Sequence, residues 1–346
     1  NPDKLHRPAS TAKLFTTVTA IHDLGLDYVI PTQIKYTGQV VPGRKNSRIL
    51  QGNLYVIGGM NPTITEKDVK ILAEQCTTLG IDSVAGFVYA DLSMKDTLRT
   101  GKGWCWDDTG DDSGDDEDNN ESGTVDDSEN SVNPGSDGYV EGDTVVDPSA
   151  DVTDRTGYSI CPDDAQMLAF RSATLRSILS DCLKPSDNLF AESVLYQLGK
   201  QDKIAYAGAD VSLEHIRRFM LSIYPDFTNC NLVDGSGLSF YNMVTPASLL
   251  QLLKYVYSSE YYEVFRNALP ESSVDGTLKK RMKQTPAEHR IFAKTGSITG
   301  TVTLAGYAMP TNGHTLIFVI MSDGVPSGHT AQARELHDQL CILMCQ

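Results

Sequence analysis

The chain has 346 residues, of which 40% are hydrophobic, with 15 Tyr and 10 Phe. That suffices for one large catalytic domain plus a smaller insertion and excludes wholesale disorder. A formal charge of −16 argues against a nucleic-acid binder, which needs clustered Lys and Arg.

Taken in chain order, residues 10–25 read as a helix, with Leu14, Val18 and Ile21 at helical spacing and Gly25 as a stop. Strand-like runs follow at 28–36 and 54–57. A second helix is expected from Glu66 to Leu79 with Thr65 as N-cap, and Ser83–Tyr89 reads as a buried strand. The character changes after Trp104-Cys105-Trp106: residues 107–154 hold 18 Asp and Glu and no Lys or Arg, the pattern of a solvated insert. Helix signals return at 164–182, 187–199, 211–224 and 246–258. Strands are expected at 291–294, 302–308 and 315–321, and a closing helix at 330–343 with Leu336, Leu340 and Leu343 on one face. This order points to an α+β fold, an antiparallel sheet covered by helices with an inserted smaller domain. The expected division is a catalytic domain of 1–30 and 155–346, an accessory domain of 31–106 and the acidic insert of 107–154.

Seven Cys form no C-x-x-C pair and read as buried small hydrophobes, and the seven His show no metal spacing. No metal and no cofactor is therefore expected. No stretch has the length of an apolar membrane span, and no signal peptide is visible.

Three short motifs carry the chemistry. Ser10-Thr11-Ala12-Lys13 is the one S-x-x-K of the chain; residues three apart share a helix face, so the Lys13 amine can take the Ser10 proton and make a nucleophile of it. A lysine serves as such a base when burial or nearby cations depress its pKa. Ser186-Asp187-Asn188 by itself reads as a helix cap after Pro185. Lys294-Thr295-Gly296, followed by Ser297, lies on a predicted strand; its charge and hydroxyl suit a substrate carboxylate, and its Gly would let a substrate backbone come close. Each motif alone is commonplace, but S-x-x-K, S-D-N and K-T-G in this order mark the penicillin-recognising serine enzymes.

The segments around the motifs resemble the D-alanyl-D-alanine carboxypeptidase/endopeptidase family, the class C low-molecular-mass penicillin-binding proteins of penicillin-binding protein 4 type. The likeness lies in Pro8-Ala9-Ser10, the run Leu54–Thr63, Gly80-Ile81…Gly86…Asp91, Asp234-Gly235-Ser236-Gly237-Leu238-Ser239…Asn242, Asp275–Met282 and Leu304–Tyr307. It implies that Ser10 attacks the peptide bond between two terminal D-alanines of a peptidoglycan stem peptide, with Lys13 as base and an acyl-enzyme as intermediate. Ser186 would relay a proton to the leaving amine, and Asn188 would bind the substrate backbone and hold Lys13. Lys294 and Thr295 would bind the terminal carboxylate, with Gly296 beside them, and the N–H groups of Ser10 and Ser297 would form the oxyanion hole. Asp108 matches the family's partner for the stem-peptide side-chain amine. Where family members often carry an Arg for a diaminopimelate carboxylate, this chain has Phe240. The resemblance further implies acylation and inhibition by β-lactam antibiotics and a periplasmic or other extracytoplasmic location. With nine residues before Ser10, the chain looks N-terminally shortened against that family.

Two rivals share parts of this pattern. A serine β-lactamase has all three motifs, but no E-x-x-L-N follows Asn188 before Lys294; Glu263–Asn267 comes nearest and has Arg266 in place of Leu. A non-enzymatic, cation-binding surface protein would use the acidic insert, yet Asp111–Asp116 lacks the EF-hand pattern.

Overall fold

The protein is described here by a computed structural model, which covers residues 1–78, 80–98, 101–103 and 155–346. The acidic insert, Asp108 and Cys105 lie outside the described residues.

Chain order begins with a 3-10 turn at Ala9–Ala12 that runs into α1 (Lys13–Leu24). An inserted lobe follows, with β1 (Val29–Tyr36), β2 (Gln39–Pro42), β3 (Arg48–Gln51), β4 (Leu54–Ile57), α2 (Glu66–Thr78), β5 (Ser83–Val84) and β6 (Val88–Asp91). After the acidic segment come β7 (Thr156–Tyr158), β8 (Gln166–Thr174), α3 (Leu175–Leu183), α4 (Asn188–Gly199), α5 (Ala209–Ile223), α6 (Pro246–Tyr257) and α7 (Tyr262–Ala268). The chain closes with β9 (Ile291–Ile298), β10 (Thr301–Ala308), β11 (Leu316–Asp323) and α8 (Thr330–Met344).

β9, β10 and β11 form an antiparallel sheet in the order β11-β10-β9, so β9 is an edge strand. Strand alternation splits its side chains between two layers. Ala305 and Tyr307 of β10 join the core built by α1, α3, α4, α5, α6 and α7, whereas Leu304 and Ala308 pack with Cys341 of α8 and with Cys345 just after it. All eight residues of β10 are buried, as a strand covered on both faces requires. α1 is enclosed as well, from Lys13 through Ile21. Two of its buried threonines are satisfied there: Thr17 donates to the Lys13 carbonyl (2.7 Å) and Thr16 to the Gly235 carbonyl (2.7 Å).

The inserted lobe has a five-stranded sheet, β7-β6-β4-β1-β8, and a small one, β2-β3-β5. α2 lays Leu72 among Ile34, Leu50, Ile81 and Leu168. The α+β expectation holds, but three local readings change. Residues 164–182 are not one helix: β8 pairs with β1 along its length, and α3 begins only at Leu175, where Thr174 and Ser177 cap each other. Spacing that suited a helix face also suited a strand, and the pairing with β1 decided it. Ser83–Tyr89 is two short, half-buried strands in different sheets, separated at Gly86, where a Cβ would strike the Gly52 carbonyl. Leu336, Leu340 and Leu343 do share a face of α8, but that face is outward, at 55%, 38% and 63% exposure; His337 and Cys341 face the sheet. Cys161 and Cys76 are half-buried rather than core residues, while Cys182, Cys230, Cys341 and Cys345 are buried, all with free thiols.

Leu179→Ala, in the buried core, should cost about 2–5 kcal/mol. Leu336→Ala, on the outward face of α8, should stay within about 0.5 kcal/mol. Urea unfolding of both variants checks the orientation of α8.

Candidate active site

Ser10 sits in the 3-10 turn rather than in α1 itself. With three residues per turn, positions i and i+3 eclipse, which brings Lys13 over Ser10. The Lys13 Nζ donates to the Ser10 Oγ at 3.2 Å. The turn is anchored by the Pro8 carbonyl, which accepts from the Thr11 hydroxyl (2.6 Å), the Thr303 hydroxyl of β10 (2.8 Å) and the Thr11 N–H (3.2 Å). Ala9, just before Ser10, has φ +46°, a left-handed conformation that a side chain disfavours. The Ala9 carbonyl lies where a Cβ on Gly237 would stand, so only glycine lets the two segments meet.

Lys13 is fully buried and donates further to the Asn188 Oδ1 at 2.5 Å and to the Ser236 carbonyl at 3.0 Å. Asn188 stands at the start of α4, whose N-cap Asp187 accepts from the Phe190 N–H. The S-D-N motif therefore does both things: Asp187 caps, and Ser186 and Asn188 face the cleft.

Ser186 has φ +71°, and its Oγ accepts from the Lys294 Nζ at 2.7 Å. Lys294 is fully buried and also donates to the Thr295 carbonyl at 2.8 Å. Burial, and then the nearby Lys13 charge, hold its pKa well below the ordinary lysine value of 10.5. Cys182, buried behind the two amines, is pushed up to about 12, chiefly by burial, and so stays an inert thiol.

Alternation along β9 turns Lys294 and Gly296 toward the Ser10 turn and Thr295 and Ser297 to the other side. The Thr295 hydroxyl donates to the Thr277 hydroxyl (2.7 Å), and the Ser297 Oγ accepts from Arg334 of α8 (3.2 Å). The need for Gly at 296 differs from the expectation. It is the enzyme's own turn that comes close, since a Cβ there would lie 2.9 Å from both the Pro8 carbonyl and the Ser10 nitrogen and still closer to Thr303. Gly296 thus packs the sheet edge against the Ser10 turn.

The structure brings together Ser10, Lys13, Ser186, Asn188, Lys294, Thr295, Gly296 and Ser297. Asp108 lies outside the described residues. Several contributors had no assigned role in the sequence reading. The Asp234–Ser239 turn presents the Ser236 carbonyl to Lys13, and Asp234 holds it by accepting from the N–H groups of Gly237 (2.6 Å) and Ser239 (2.7 Å). Glu192, one turn after Asn188, accepts from the Gly235 N–H at 2.8 Å. Burial and the charge of Asp234 push its pKa up to about 8. The i, i+4 spacing from Asn188 was the available signal for Glu192. The guanidinium of Arg7 lies 5.0 Å from the ring centre of Phe240. Among the described residues, no three His, Cys, Asp or Glu could hold a metal ion.

Fold and site together define a serine acyl-transfer enzyme of the penicillin-recognising class. The chain belongs to the D-Ala-D-Ala carboxypeptidase 3 (S13) family, whose family model matches residues 1–133 and 149–344. It is 26% identical to a D-alanyl-D-alanine carboxypeptidase from an Actinomadura species, over 92% of this chain and 73% of that protein. It is 34% identical to the penicillin-sensitive carboxypeptidase A of Dictyostelium discoideum, over 50% of this chain and 34% of that one. In fold it is similar to penicillin-binding protein 4 of Haemophilus influenzae, with a TM-score of 0.77 at 21% identity, covering 99% of this chain and 92% of that one; that protein has also been crystallised with a β-lactam.

Gly296→Ala should leave a folded protein whose acylation by penicillin falls by at least roughly 10-fold, as the Ser10 turn is pushed from the sheet edge. Stopped-flow acylation beside a thermal melt would show it. A second expectation concerns pH. Since the Lys294 pKa is lowered in the folded chain, the unfolded chain binds more protons between that lowered value and 10.5, and stability rises with pH there. Lys294→Met should remove this slope, so any stability gained over the wild type is larger at pH 7 than near pH 10, by denaturant titration at both.

Proposed function

We propose that the protein removes the terminal D-alanine from peptidoglycan stem peptides through an acyl-enzyme on Ser10. The observation that carries this reading is the buried Lys13 amine, 3.2 Å from the Ser10 hydroxyl and held by Asn188 and the Ser236 carbonyl. In the attacking step Lys13 takes the Ser10 proton as Oγ bonds to the carbonyl carbon between the two D-alanines. The oxyanion is received by the N–H groups of Ser10 and Ser297, a donor of this kind being worth about 3–4 kcal/mol. Ser186, hydrogen-bonded to Lys294, passes a proton to the leaving amine, and free D-alanine departs. Water then attacks the ester, and the proton returns to Ser10. The open edge of β9 beyond Thr295 supports extended binding of the peptide beside Ser10.

A β-lactam carries an amide carbonyl and a carboxylate in a similar relation, which supports its acting as an acylating inhibitor. The same site suits hydrolysis of a cross-link whose carbonyl belongs to a D-alanine, so endopeptidase action belongs to the reading. The reading also includes an extracytoplasmic, periplasmic setting, where such substrates lie; no helix among the described residues is long and apolar enough to cross a membrane. Of the expected domains, the pairing of β7 and β8 with β6 and β1 supports counting residues 156–174 with the inserted lobe.

Incubation with labelled benzylpenicillin should give one adduct, on the peptide containing Ser10, and none in Ser10→Ala. An adduct elsewhere, or unchanged labelling of the variant in peptide mass spectrometry, would overturn the assignment. Muropeptides with one or two terminal D-alanines, and cross-linked dimers, then separate the carboxypeptidase and endopeptidase modes.

A further inference from the structure

We propose that Thr277, on the turn between α7 and β9, donates the hydrogen bond that fixes the substrate's terminal carboxylate where the edge of β9 opens. The proposal rests on the carboxypeptidase reading and adds to that site a specificity-determining residue that none of the three motifs contains.

The sequence points to Lys294 and Thr295 for this task, but the structure puts both to other use. The Lys294 Nζ is fully buried and donates to Ser186 and to the Thr295 carbonyl. The Thr295 hydroxyl gives its proton to the Thr277 hydroxyl at 2.7 Å. A hydroxyl has a single proton, so Thr277, engaged there as acceptor, keeps its own for a ligand. Among the described residues nothing accepts that proton, and Thr277 is exposed where Thr295 is half-buried. A hydroxyl polarised by accepting one hydrogen bond is the better donor of the next.

The place of Thr277 is set from both sides of the cleft. Residues 270–272 cover the edge of β9 as far as Ala293, whose N–H donates to the Pro270 carbonyl at 3.0 Å, while the Ser272 N–H donates to the Ile291 carbonyl at 2.9 Å. Beyond that point the edge is unpaired among the described residues, and Thr277 stands there beside Thr295. The Thr277 N–H donates to the Lys184 carbonyl at 3.1 Å, and the Lys184 amine pairs with Asp275. These contacts tie the turn to the loop that carries Ser186. Asp275 also accepts from the Glu271 N–H at 3.0 Å, and Leu278 is buried in one cluster with Ile291 and Ala293 of β9. An exposed hydroxyl anchored in this way loses little freedom when a ligand binds. The leaving amine, which takes its proton from Ser186, and the terminal carboxylate belong to the same D-alanine. The carboxylate therefore falls on the Ser186 side of the site, where Thr277 is.

The test compares an acyl-D-Ala-D-Ala peptide with its C-terminal amide. Thr277→Val removes the hydroxyl and keeps the shape. It should lose roughly 10-fold in kcat/KM on the free acid, mainly through KM, and about 3-fold or less on the amide, because a charged acceptor makes the stronger hydrogen bond. Thr277→Ser should stay within about 3-fold of the wild type on the acid. Acylation by benzylpenicillin and by its methyl ester reads the same ratio at Ser10, and Thr277→Ala replaces the valine variant if a thermal melt shows that one misfolded. Equal losses on acid and amide would mean a merely structural role and overturn the proposal. So would an unchanged acid-to-amide ratio, or a Thr277→Ser variant as impaired as Thr277→Val. Failure of the wild type to release D-alanine from the acid would instead overturn the carboxypeptidase reading.

Discussion

The architecture depends on keeping one lysine amine dry and fully engaged. Lys13 lies inside the helical layer, where an amine without partners would be costly to bury. Its three acceptors come from three parts of the chain: the Ser10 hydroxyl, the Asn188 amide oxygen and the Ser236 carbonyl. Holding them in place requires that α1, α4 and the Asp234–Ser239 turn be fixed relative to one another, and each is fixed by contacts of its own. Thr16 bonds the turn to α1, Glu192 bonds it to α4, and Asp234 closes it on itself. The placement of the Lys13 amine beside the Ser10 hydroxyl is thus the outcome of a polar network satisfied on all sides.

A second amine stands behind the first. Lys294 sits near Lys13, and burial, with the Lys13 charge beside it, disfavours a proton on Lys294. The two serines, Ser10 and Ser186, each bond to one of the amines. The backbone is strained at both ends of this arrangement, at Ala9 and at Ser186, each with positive φ. Such strain, of order 1–3 kcal/mol per residue, persists where the surroundings over-determine it. Here they do: Pro8 is clamped by three donors, and Gly237 and Gly296 leave no room for the turn to relax.

Much of this was legible in the residue order. The three motifs pointed to Ser10, Lys13 and the strand beside them because each is a local pattern with a local geometry. The sheet of β9, β10 and β11 was legible too, since β-branched, aromatic and small residues fill its strands and a Pro-Thr-Asn-Gly turn separates β10 from β11. The misreadings share one cause. The spacing in β8 suits a helix face as well as a strand, because periodicity reports that a face exists and not which neighbour covers it. β8 owes its conformation to pairing with β1, more than 120 residues away in the chain.

The sequence by itself determined the reaction chemistry: a serine with a lysine three residues on, a second serine with an asparagine, and a lysine on a strand. Spacing carries that much because i, i+3 neighbours meet in any helical turn. Only the tertiary structure decided what each group is free to do. Lys294 points inward and is occupied, Gly296 makes room for the protein's own turn, and Glu192 and Arg334 enter the site from α4 and α8 with no motif to announce them. Those assignments turn on distance, burial and competing charge between residues far apart in the chain, quantities that come into being when the chain folds.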